Sequence, residues 1–443
     1  MKVRFDSDIE PLISDVLFLK SDTGWGKICN FVGMNYCITA PRRIEGEIDL
    51  PASKSISNRV LLLNALCATP GRLSNLAQCD DTDAVLTALA QPDASEVNIG
   101  AAGTAMRFLT AYFATREGRE VVIDGTERMR QRPIGVLVDA LRQLGANIEY
   151  VEAEGYPPLK ITGTRLHGGA LTVSGSVSSQ YITAILLIAP VIGGIALTIE
   201  GEIMSRPYID MTLALMARYG VKAEWRKNVI HVPAGKYTAL DFTVEADWSA
   251  ASYWWAMQAF VPQSRITLKG LEPQSLQGDS RIAELMSQMG VTGNWCGRYL
   301  DLRSDGGVGC CCSTFADLSG TPDIAQTLVV MLCLMGRPFR ITGLRTLRIK
   351  ETDRLEALRI ELRKLGYVVK VEGDDAISWH FETTAAEASP HISTYHDHRM
   401  AMAFAPAAIR FPGLIIDDAQ VVSKSYPLFW EHLRQAGFKI EEV

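Results

Sequence analysis

The chain lacks the residue patterns of the common metal sites. Its nine cysteines form no Cys-x-x-Cys pair that could combine with any of its seven histidines. Such a cysteine pair, joined by a histidine pair, is typical of structural zinc sites. Cys310, Cys311 and Cys312 are consecutive, a poor geometry for a metal site or a disulfide framework. We therefore expect that the protein binds no metal and that its thiols are reduced. Because we find no secretory signal, we also expect a cytoplasmic location.

Long apolar runs and an excess of basic charge are also absent. A membrane helix needs about 18 or more apolar residues. The nearest candidate, residues 182–199, is interrupted by Pro190 and the Gly193–Gly194 pair, which predicts helix, turn and strand instead. The formal net charge of −6 does not favour non-specific binding to nucleic acid. The sequence thus predicts a protein with neither membrane nor nucleic-acid partners.

The length of 443 residues exceeds that of one ordinary core and favours two domains. Residues 1–33 lack the motifs found further along, and Met34 could serve as the functional start. We interpret 1–33 as an N-terminal extension.

One unit recurs through the chain: an amphipathic helix, a glycine after its last turn, and a short strand. A glycine at this position ends a helix in the left-handed conformation. The intervals between these glycines are 75, 70, 76 and 71 residues. The glycines are Gly145, Gly220, Gly290, Gly366 and Gly437.

A second series of apolar helices alternates with the first, and each of these opens on small polar residues. Its six members are ASKSISNRVLLLNAL, GAAGTAMRFLTAYFA, GSVSSQYITAILLIA, EADWSAASYWWAMQAF, GTPDIAQTLVVMLCLM and YHDHRMAMAFAPAAI. Together the two series predict six α/β units, three in each domain. The first unit is shorter and lacks the glycine, so five copies are directly visible and the sixth is inferred.

Basic residues accompany these helix starts. A helix N-terminus carries unsatisfied N–H donors and about half a positive charge. Cations are therefore locally unfavourable there, yet Lys54 and Arg59 lie at the first start, Arg107 at the second and Arg399 at the sixth. Taken singly, each reads as a capped helix with a solvated charge. Their recurrence at one position of the unit favours a shared cleft for a multiply charged anion.

Nine stretches, in order, resemble the 5-enolpyruvylshikimate-3-phosphate synthases, a family of enolpyruvyl transferases. They are LPASKSISNR, GAAGTAMRFL, RMRQRPIGVLVDAL, SGSVSSQYITAILL, SRPYID, GTPDIA, RIKETDRL, YHDHRMAMA and SKSYP, spread over residues 38–443. The resemblance implies two domains, each an inside-out α/β barrel of three βαβαββ units, with the active site between them. By analogy residues 53–246 form one domain, and residues 34–52 with 247–443 form the other.

The resemblance also implies a reaction. The enolpyruvyl group of phosphoenolpyruvate would pass to the 5-hydroxyl of shikimate-3-phosphate by addition and elimination, with release of phosphate. Neither metal nor other cofactor is implied. The expected partners are these two small anions, and the family precedent is a monomer.

The matching motifs imply roles for particular residues. The residues expected to catalyse are the base Asp323, its neighbour Lys350, the proton donor Glu351, Lys54 and His398. Those expected at shikimate-3-phosphate are Lys54, Ser55, Arg59, Ser178, Ser179, Gln180, Ser205, Tyr208, Asp323, Thr346 and Lys350. Those expected at phosphoenolpyruvate are Lys54, Gly103, Arg132, Gln180, Arg354, Arg399 and Lys424.

The chain departs from the family pattern at two positions that usually hold asparagine. Ala101 stands at one and Thr346 at the other, so a side-chain amide is missing from each. Two alternatives stay open. The chain could act on UDP-N-acetylglucosamine, as the sister enolpyruvyl transferases do, although these carry Asn after the first-motif Lys, where Ser55 stands here. It could also be a non-catalytic anion-binding protein, a reading that the presence of Asp323, Lys350 and Glu351 disfavours.

Overall fold

The computed structural model describes residues 33–176, 178–261, 263–305 and 313–443. The predicted extension, apart from Gly33, and the run Cys310–Cys312 lie outside these ranges. No helix within them is long and apolar enough to cross a bilayer.

Thirteen α-helices occur in the described ranges, joined by short 3-10 turns. They are α1 Lys54–Ala65, α2 Asp80–Ala90, α3 Gly103–Ala114, α4 Glu127–Arg130, α5 Gly135–Gln143, α6 Ser179–Ile188, α7 Arg206–Arg218, α8 Trp248–Phe260, α9 Ile282–Ser287, α10 Ala325–Leu334, α11 Arg354–Lys364, α12 His398–Phe404 and α13 Phe429–Gln435.

The strands of the described chain are short. They are β1 Tyr36–Thr39, β2 Glu45–Asp49, β3 Leu73–Ser74, β4 Glu96–Asn98, β5 Glu120–Asp124, β6 Asn147–Tyr150, β7 Leu159–Thr162, β8 Gly169–Ser174, β9 Ile195–Glu200, β10 Glu224–Arg226, β11 Val229–Val232, β12 Phe242–Thr243, β13 Arg265–Lys269, β14 Val291–Cys296, β15 Tyr299–Ser304, β16 Thr314–Asp317, β17 Phe339–Thr342, β18 Lys370–Glu372, β19 Ala376–Trp379, β20 His391–Ile392, β21 Leu414–Ile416 and β22 Lys439–Glu442.

Three sheets are formed by consecutive stretches and share one topology. Their orders are β4-β5-β7-β6, β8-β9-β11-β10 and β16-β17-β19-β18. In each, the first pair is parallel and the others are antiparallel. A parallel pair needs a helical crossover and an antiparallel pair needs only a hairpin, so this is the βαβαββ unit.

The remaining sheets of the described chain join distant segments. Strand β2 lies parallel to β13, and β1 lies between β21 and β22. The sixth sheet has only the two strands β3 and β12, which agrees with the shorter first unit expected from the sequence.

The buried faces divide into two hydrophobic cores. One contains residues from Ile38 to Leu50 and from Ala246 to Phe438, and the other contains residues from Ala52 to Val244. We call these parts lobe I and lobe II. The chain passes between them at Ala52 and Ala246, which pair as an isolated antiparallel bridge. Both crossings therefore lie side by side.

Each lobe packs three apolar helices inside its three sheets. Helices α1, α3 and α6 are in mutual contact in lobe II, and α10 contacts α8 and α12 in lobe I. A helix that is apolar on all sides must be buried in this way. The five helix-ending glycines all have φ between 81° and 98°, as predicted. The fold is thus the predicted two-lobed α/β architecture of six units.

Candidate active site

A cavity between the lobes is lined by the first residues of all six apolar helices. The lining residues from these starts are Lys54, Ser55, Gly103, Thr104, Ser178, Ser179, Gln180, Asp247, Ser249, Asp323, His398 and Arg399. Further walls are contributed by Arg59, Arg107, Arg132, Ser205, Tyr208, Thr346, Lys350, Glu351 and Arg354. Lys424 lies just behind the wall, where its Nζ donates to the Ala101 carbonyl at 3.0 Å. The sequence-predicted residues are therefore brought together around one cavity.

The first helix start explains how an acidic chain holds a cation there. Ser53 Oγ accepts the Ile56 N–H at 3.4 Å and so caps α1. Lys54 then projects its Nζ to 3.3 Å from Asp81. Burial favours the neutral amine, but Asp81 together with other neighbours, including Glu351, outweighs burial and raises the pKa of Lys54. Lys54 is accordingly a permanent cation at the cavity wall.

Arg59 is a buried cation held by neutral groups. Its Nε donates to Thr212 Oγ1 at 2.8 Å and its Nη1 to the Ser55 carbonyl at 2.8 Å. Within the described chain no carboxylate lies within ion-pair distance of it, and burial lowers its pKa to about 10. Arg107, on α3, is in the same state, with its pKa also lowered to about 10 by burial. Both charges remain uncompensated and available to an anion.

Serine residues line the lobe II side of the cavity. Ser178 Oγ accepts the Gln180 N–H at 3.3 Å and caps α6. Gln180 Nε2 donates to Thr104 Oγ1 at 3.1 Å. Ser205 has a positive φ of 56° at the start of α7, a strained conformation for a residue with a side chain. Small hydroxyls at helix starts make this wall a suitable surface for phosphate oxygens.

Asp323 lies at the centre of the cations of lobe I. Arg399 Nη2 is 3.0 Å and Arg354 Nη1 is 3.2 Å from its carboxylate, and Lys350 Nζ is at 3.5 Å. Burial alone would raise its pKa, but these three charges hold the pKa of Asp323 well below its usual range. Burial also lowers the pKa of Lys350, against the attraction of Asp323.

Arg354 ties the carboxylates of Asp323 and Glu351 to the core. Its side chain is 2% exposed, and it binds Asp397 through Nε at 2.6 Å and through Nη2 at 3.2 Å. Asp397 is fully buried and also caps α12 by accepting the Arg399 N–H at 2.9 Å. Because the guanidinium of Arg354 is rigid and planar, these bonds fix the direction in which it faces Asp323.

Glu351 is surrounded by a second group of cations. Lys424 Nζ lies at 2.8 Å, Arg354 Nη2 at 3.0 Å and Arg132 Nη1 at 3.9 Å. They outweigh the effect of burial and hold the pKa of Glu351 well below its usual range. A Cβ on Gly103 would lie 2.5 Å from Arg132 Nη1, so the glycine leaves room for this guanidinium.

Among the buried side chains of the cavity lining, His398 and Thr346 have polar atoms without a hydrogen-bond partner in the described residues. Both ring nitrogens of His398 lack a hydrogen bond within the described residues, as does Thr346 Oγ1. Burial, reinforced by Lys54 and Arg399, lowers the pKa of His398 well below its ordinary value. The imidazole is therefore neutral. Buried polar atoms of this kind are normally hydrogen-bonded, so they mark places where a ligand would bind.

Several residues at or behind the cavity wall were missed by sequence reasoning. Asp81 and Ser249 line the cavity, Asp247 caps α8, and Asp279 lies behind Tyr208. Asp247 opens one of the recurring helix starts, so position within the unit could have identified it. Asp81 and Asp279 come from other elements, and nothing in their local sequence indicates the approach to the cavity.

Asp279 is a buried carboxyl with neutral hydrogen-bond partners. It accepts hydrogen bonds from Tyr208 Oη at 3.2 Å and from Ser249 Oγ, and Tyr208 also donates to Asp323 at 3.3 Å. Burial, and then the negative charge of Asp323, raise the pKa of Asp279 from 3.8 to about 6. Its ionisation therefore costs stability as the pH rises between these values.

We expect Asp279→Asn to stabilise the protein at neutral pH. A pKa raised from 3.8 to about 6 corresponds to at most about 3 kcal/mol, so the free energy of unfolding should increase by roughly 1–3 kcal/mol above pH 7. The gain should fade towards pH 4, where Asp279 is protonated in the folded state and no longer carries a buried charge. Urea denaturation of both proteins from pH 4 to pH 8 measures the difference. A difference independent of pH would contradict the assignment.

The comparisons with known proteins all match one family. A family model described as EPSP synthase (3-phosphoshikimate 1-carboxyvinyltransferase) matches residues 38–95 and 90–433. A Bacteroides fragilis (strain YCH46) protein named 3-phosphoshikimate 1-carboxyvinyltransferase is 51% identical over 410 residues, covering 92% of this chain and 99% of the relative. A protein of the same name from Photobacterium profundum is 39% identical over 422 residues, covering 89% and 96%. The solved structure of EPSP synthase from Acinetobacter baumannii shares the fold, with a TM-score of 0.71 at 21% identity, over 92% of this chain and 100% of that one.

Proposed function

The chain belongs to the EPSP synthase (3-phosphoshikimate 1-carboxyvinyltransferase) family, and from this premise we propose how its cavity performs the family's reaction. The chain is a transferase of the shikimate pathway. It transfers the enolpyruvyl group of phosphoenolpyruvate to the 5-hydroxyl of shikimate-3-phosphate and releases phosphate. Each substrate carries one carboxylate and one phosphate.

The charge of the cavity carries the proposal. Seven cationic side chains and four carboxylates line it, so the lining carries an excess of three positive charges. Helix starts add further positive potential. Two multiply charged anions would offset this positive charge. Holding them in attack geometry can lower the barrier by about 7–11 kcal/mol.

Shikimate-3-phosphate would bind on the lobe II side. The hydroxyls of Ser178, Ser179, Ser205 and Tyr208 would receive its phosphate, and Arg59 with Ser55 would hold the rest. Thr346, from lobe I, offers a hydroxyl without a partner at a position where the family usually has the side-chain amide of asparagine. The observation that supports this half of the site is the uncompensated, buried guanidinium of Arg59.

Asp323 would remove the proton from the 5-hydroxyl, assisted by Lys350. A base works best when its pKa lies near the working pH, whereas the pKa of Asp323 is held far lower by Arg399, Lys350 and Arg354. Both arginines would also bind phosphoenolpyruvate. The anionic substrate would share their charge, weaken their hold on Asp323 and raise its pKa towards a useful value.

The same reasoning applies to Glu351 as donor of the proton to the methylene carbon. An ionised carboxylate cannot donate a proton, and Lys424, Arg354 and Arg132 favour the ionised form of Glu351. These are three of the cations assigned to phosphoenolpyruvate. Its binding would withdraw them and favour protonation of Glu351 at the moment the acid is needed. Lys54 and Gln180 would border both substrates, and the neutral His398 would lie beside phosphoenolpyruvate together with Gly103.

The organisation around the site is proposed as well. Residues 53–246 form one domain, and residues 34–52 with 247–443 form the other, supported by the division of the hydrophobic cores at Ala52 and Ala246. We propose a monomer, since both walls of the cavity come from one chain. A cytoplasmic location fits the unpaired cysteines of the described chain.

We expect phosphate release from phosphoenolpyruvate to depend on shikimate-3-phosphate. The measurement is a colorimetric phosphate assay with that acceptor, with UDP-N-acetylglucosamine, and with neither. Release with shikimate-3-phosphate alone supports the proposal. Release only with the sugar nucleotide would assign the sister activity instead, and release with neither would leave a binding protein of the same fold.

A further inference from the structure

Helix α4 extends an arginine from lobe II to the backbone of lobe I. The helix is a single turn, capped by Thr126 and anchored by the buried Met129. Arg128 projects from it and donates from Nε to the Glu351 carbonyl at 3.0 Å. Its Nη2 donates to the Lys350 carbonyl at 3.3 Å. The two lobes are therefore joined by a guanidinium that grips the backbone on the far side.

The gripped backbone is a connection between two helical segments. A 3-10 turn ends at Ile349, Lys350 has an extended backbone with ψ of −151°, and α11 begins only at Arg354. A stretch outside the repeating helical hydrogen bonds is free to shift unless other groups hold it. The bonds from Arg128 supply such a constraint from the opposite lobe.

The side chains of the gripped residues face the cavity. Lys350 Nζ lies 3.5 Å from Asp323, and the Glu351 carboxylate lies 2.8 Å from Lys424. A guanidinium can hold two neighbouring carbonyls at once because its donors are fixed in a plane, whereas a lysine presents a single point charge. Arg128 thus fixes the two backbone units from which the proposed acid and the base's partner extend.

We propose that Arg128 is a positioning residue that couples closure of the lobes to the placement of Lys350 and Glu351. It does not line the cavity, and its bonds to backbone carbonyls leave the substrate-binding cations unchanged. The contact exists only while the lobes are together, so an open molecule would lack this constraint on both residues. The inference rests on the roles of Lys350 and Glu351 in the proposed function.

The chain offers a matched control on the same helical turn. Arg130 is also partly exposed, but it pairs with Asp124 at 3.0 Å and with Glu152 at 2.6 Å, both within lobe II. Arg130→Ala removes an equal charge and an equal side chain from α4 without touching lobe I. An effect specific to Arg128 then points to the cross-lobe contact, since its one further hydrogen bond, from Nη1 to Gln131 Oε1 at 3.3 Å, is an exposed one within lobe II.

The test compares steady-state kinetics of Arg128→Ala, Arg128→Lys and Arg130→Ala. We expect Arg128→Ala to lower kcat about ten- to hundredfold, a loss of two charge-assisted hydrogen bonds. KM for both substrates should change less than about threefold, and Arg128→Lys should recover part of kcat. Melting temperatures of Arg128→Ala and Arg130→Ala should agree.

Two other results would overturn the inference, and a third would contradict the proposed function. A kcat for Arg128→Ala within twofold of that for Arg130→Ala would overturn the inference. The inference would also be overturned if Arg128→Ala lost kcat and had a clearly lower melting temperature than Arg130→Ala, because that result would indicate a role in folding only. Absence of phosphate release by the wild-type protein with shikimate-3-phosphate would instead contradict the proposed function itself.

Discussion

Replacing Asp323 by asparagine is expected to lower kcat by about 10²–10⁴-fold, the usual contribution of a positioned general base. Asparagine preserves the size of the side chain and can still accept from Arg399 and Arg354, but it cannot take the proton from the 5-hydroxyl. Removing one negative charge leaves the cavity more positive. Shikimate-3-phosphate should therefore bind at least as tightly as it does to the wild-type protein.

Two measurements separate chemistry from binding in this variant. Phosphate release gives kcat, and calorimetric titration with shikimate-3-phosphate gives the Kd. Asp374→Asn is the control, because it removes an exposed carboxylate of the same lobe that pairs with Arg345. Turnover of Asp323→Asn close to that of this control would exclude Asp323 as the base.

Arg354→Ala is expected to have the largest effect on stability. It leaves the fully buried Asp397 without its partner, and an uncompensated buried charge costs about 3–5 kcal/mol. The same change also removes a cation from Asp323 and from Glu351, so turnover should be lost. Guanidinium denaturation followed by tryptophan fluorescence measures the free energy of unfolding.

The double variant Arg354→Ala/Asp397→Asn tests whether the loss of stability comes from the unpaired charge of Asp397. Asparagine keeps the acceptor that caps α12 but removes the stranded charge, so a large part of the lost stability should return. Arg348→Ala breaks a partly exposed pair with Asp353 at 2.8 Å and should cost only about 0–1 kcal/mol. Equal losses in Arg348→Ala and Arg354→Ala would refute the importance of burial.

The sequence alone was enough to predict the structural features that repeat along the chain. Glycines such as Gly145 and Gly437 were predicted to end helices because only a left-handed residue stops a helix in that way, and the structure confirms their positive φ. The six helix starts were predicted to share one cleft, and one cavity is lined by residues from every start. Even the short first unit corresponds to a two-stranded sheet.

The sequence was insufficient where contacts depend on distant segments. Asp279 reaches Tyr208 from 71 residues away and Arg128 reaches Glu351 from 223 residues away. Neither has a local pattern that differs from an ordinary exposed charge. The pKa of Glu351 also depends on three cations gathered from both lobes. Such effects arise only after the lobes assemble, because charge interactions fall off with distance in space and not along the chain.

The position of β1 between β21 and β22 has a consequence for synthesis on the ribosome. The second hydrophobic core is formed almost entirely by residues between Ile56 and Val244. Lobe II can therefore fold as soon as residues 53–246 have left the ribosome. Strand β1 must wait for residues 414–416 and 439–442. At about 5–20 residues per second this delay is roughly 20–75 s. The first strand of the described chain is therefore among the last to find its partners.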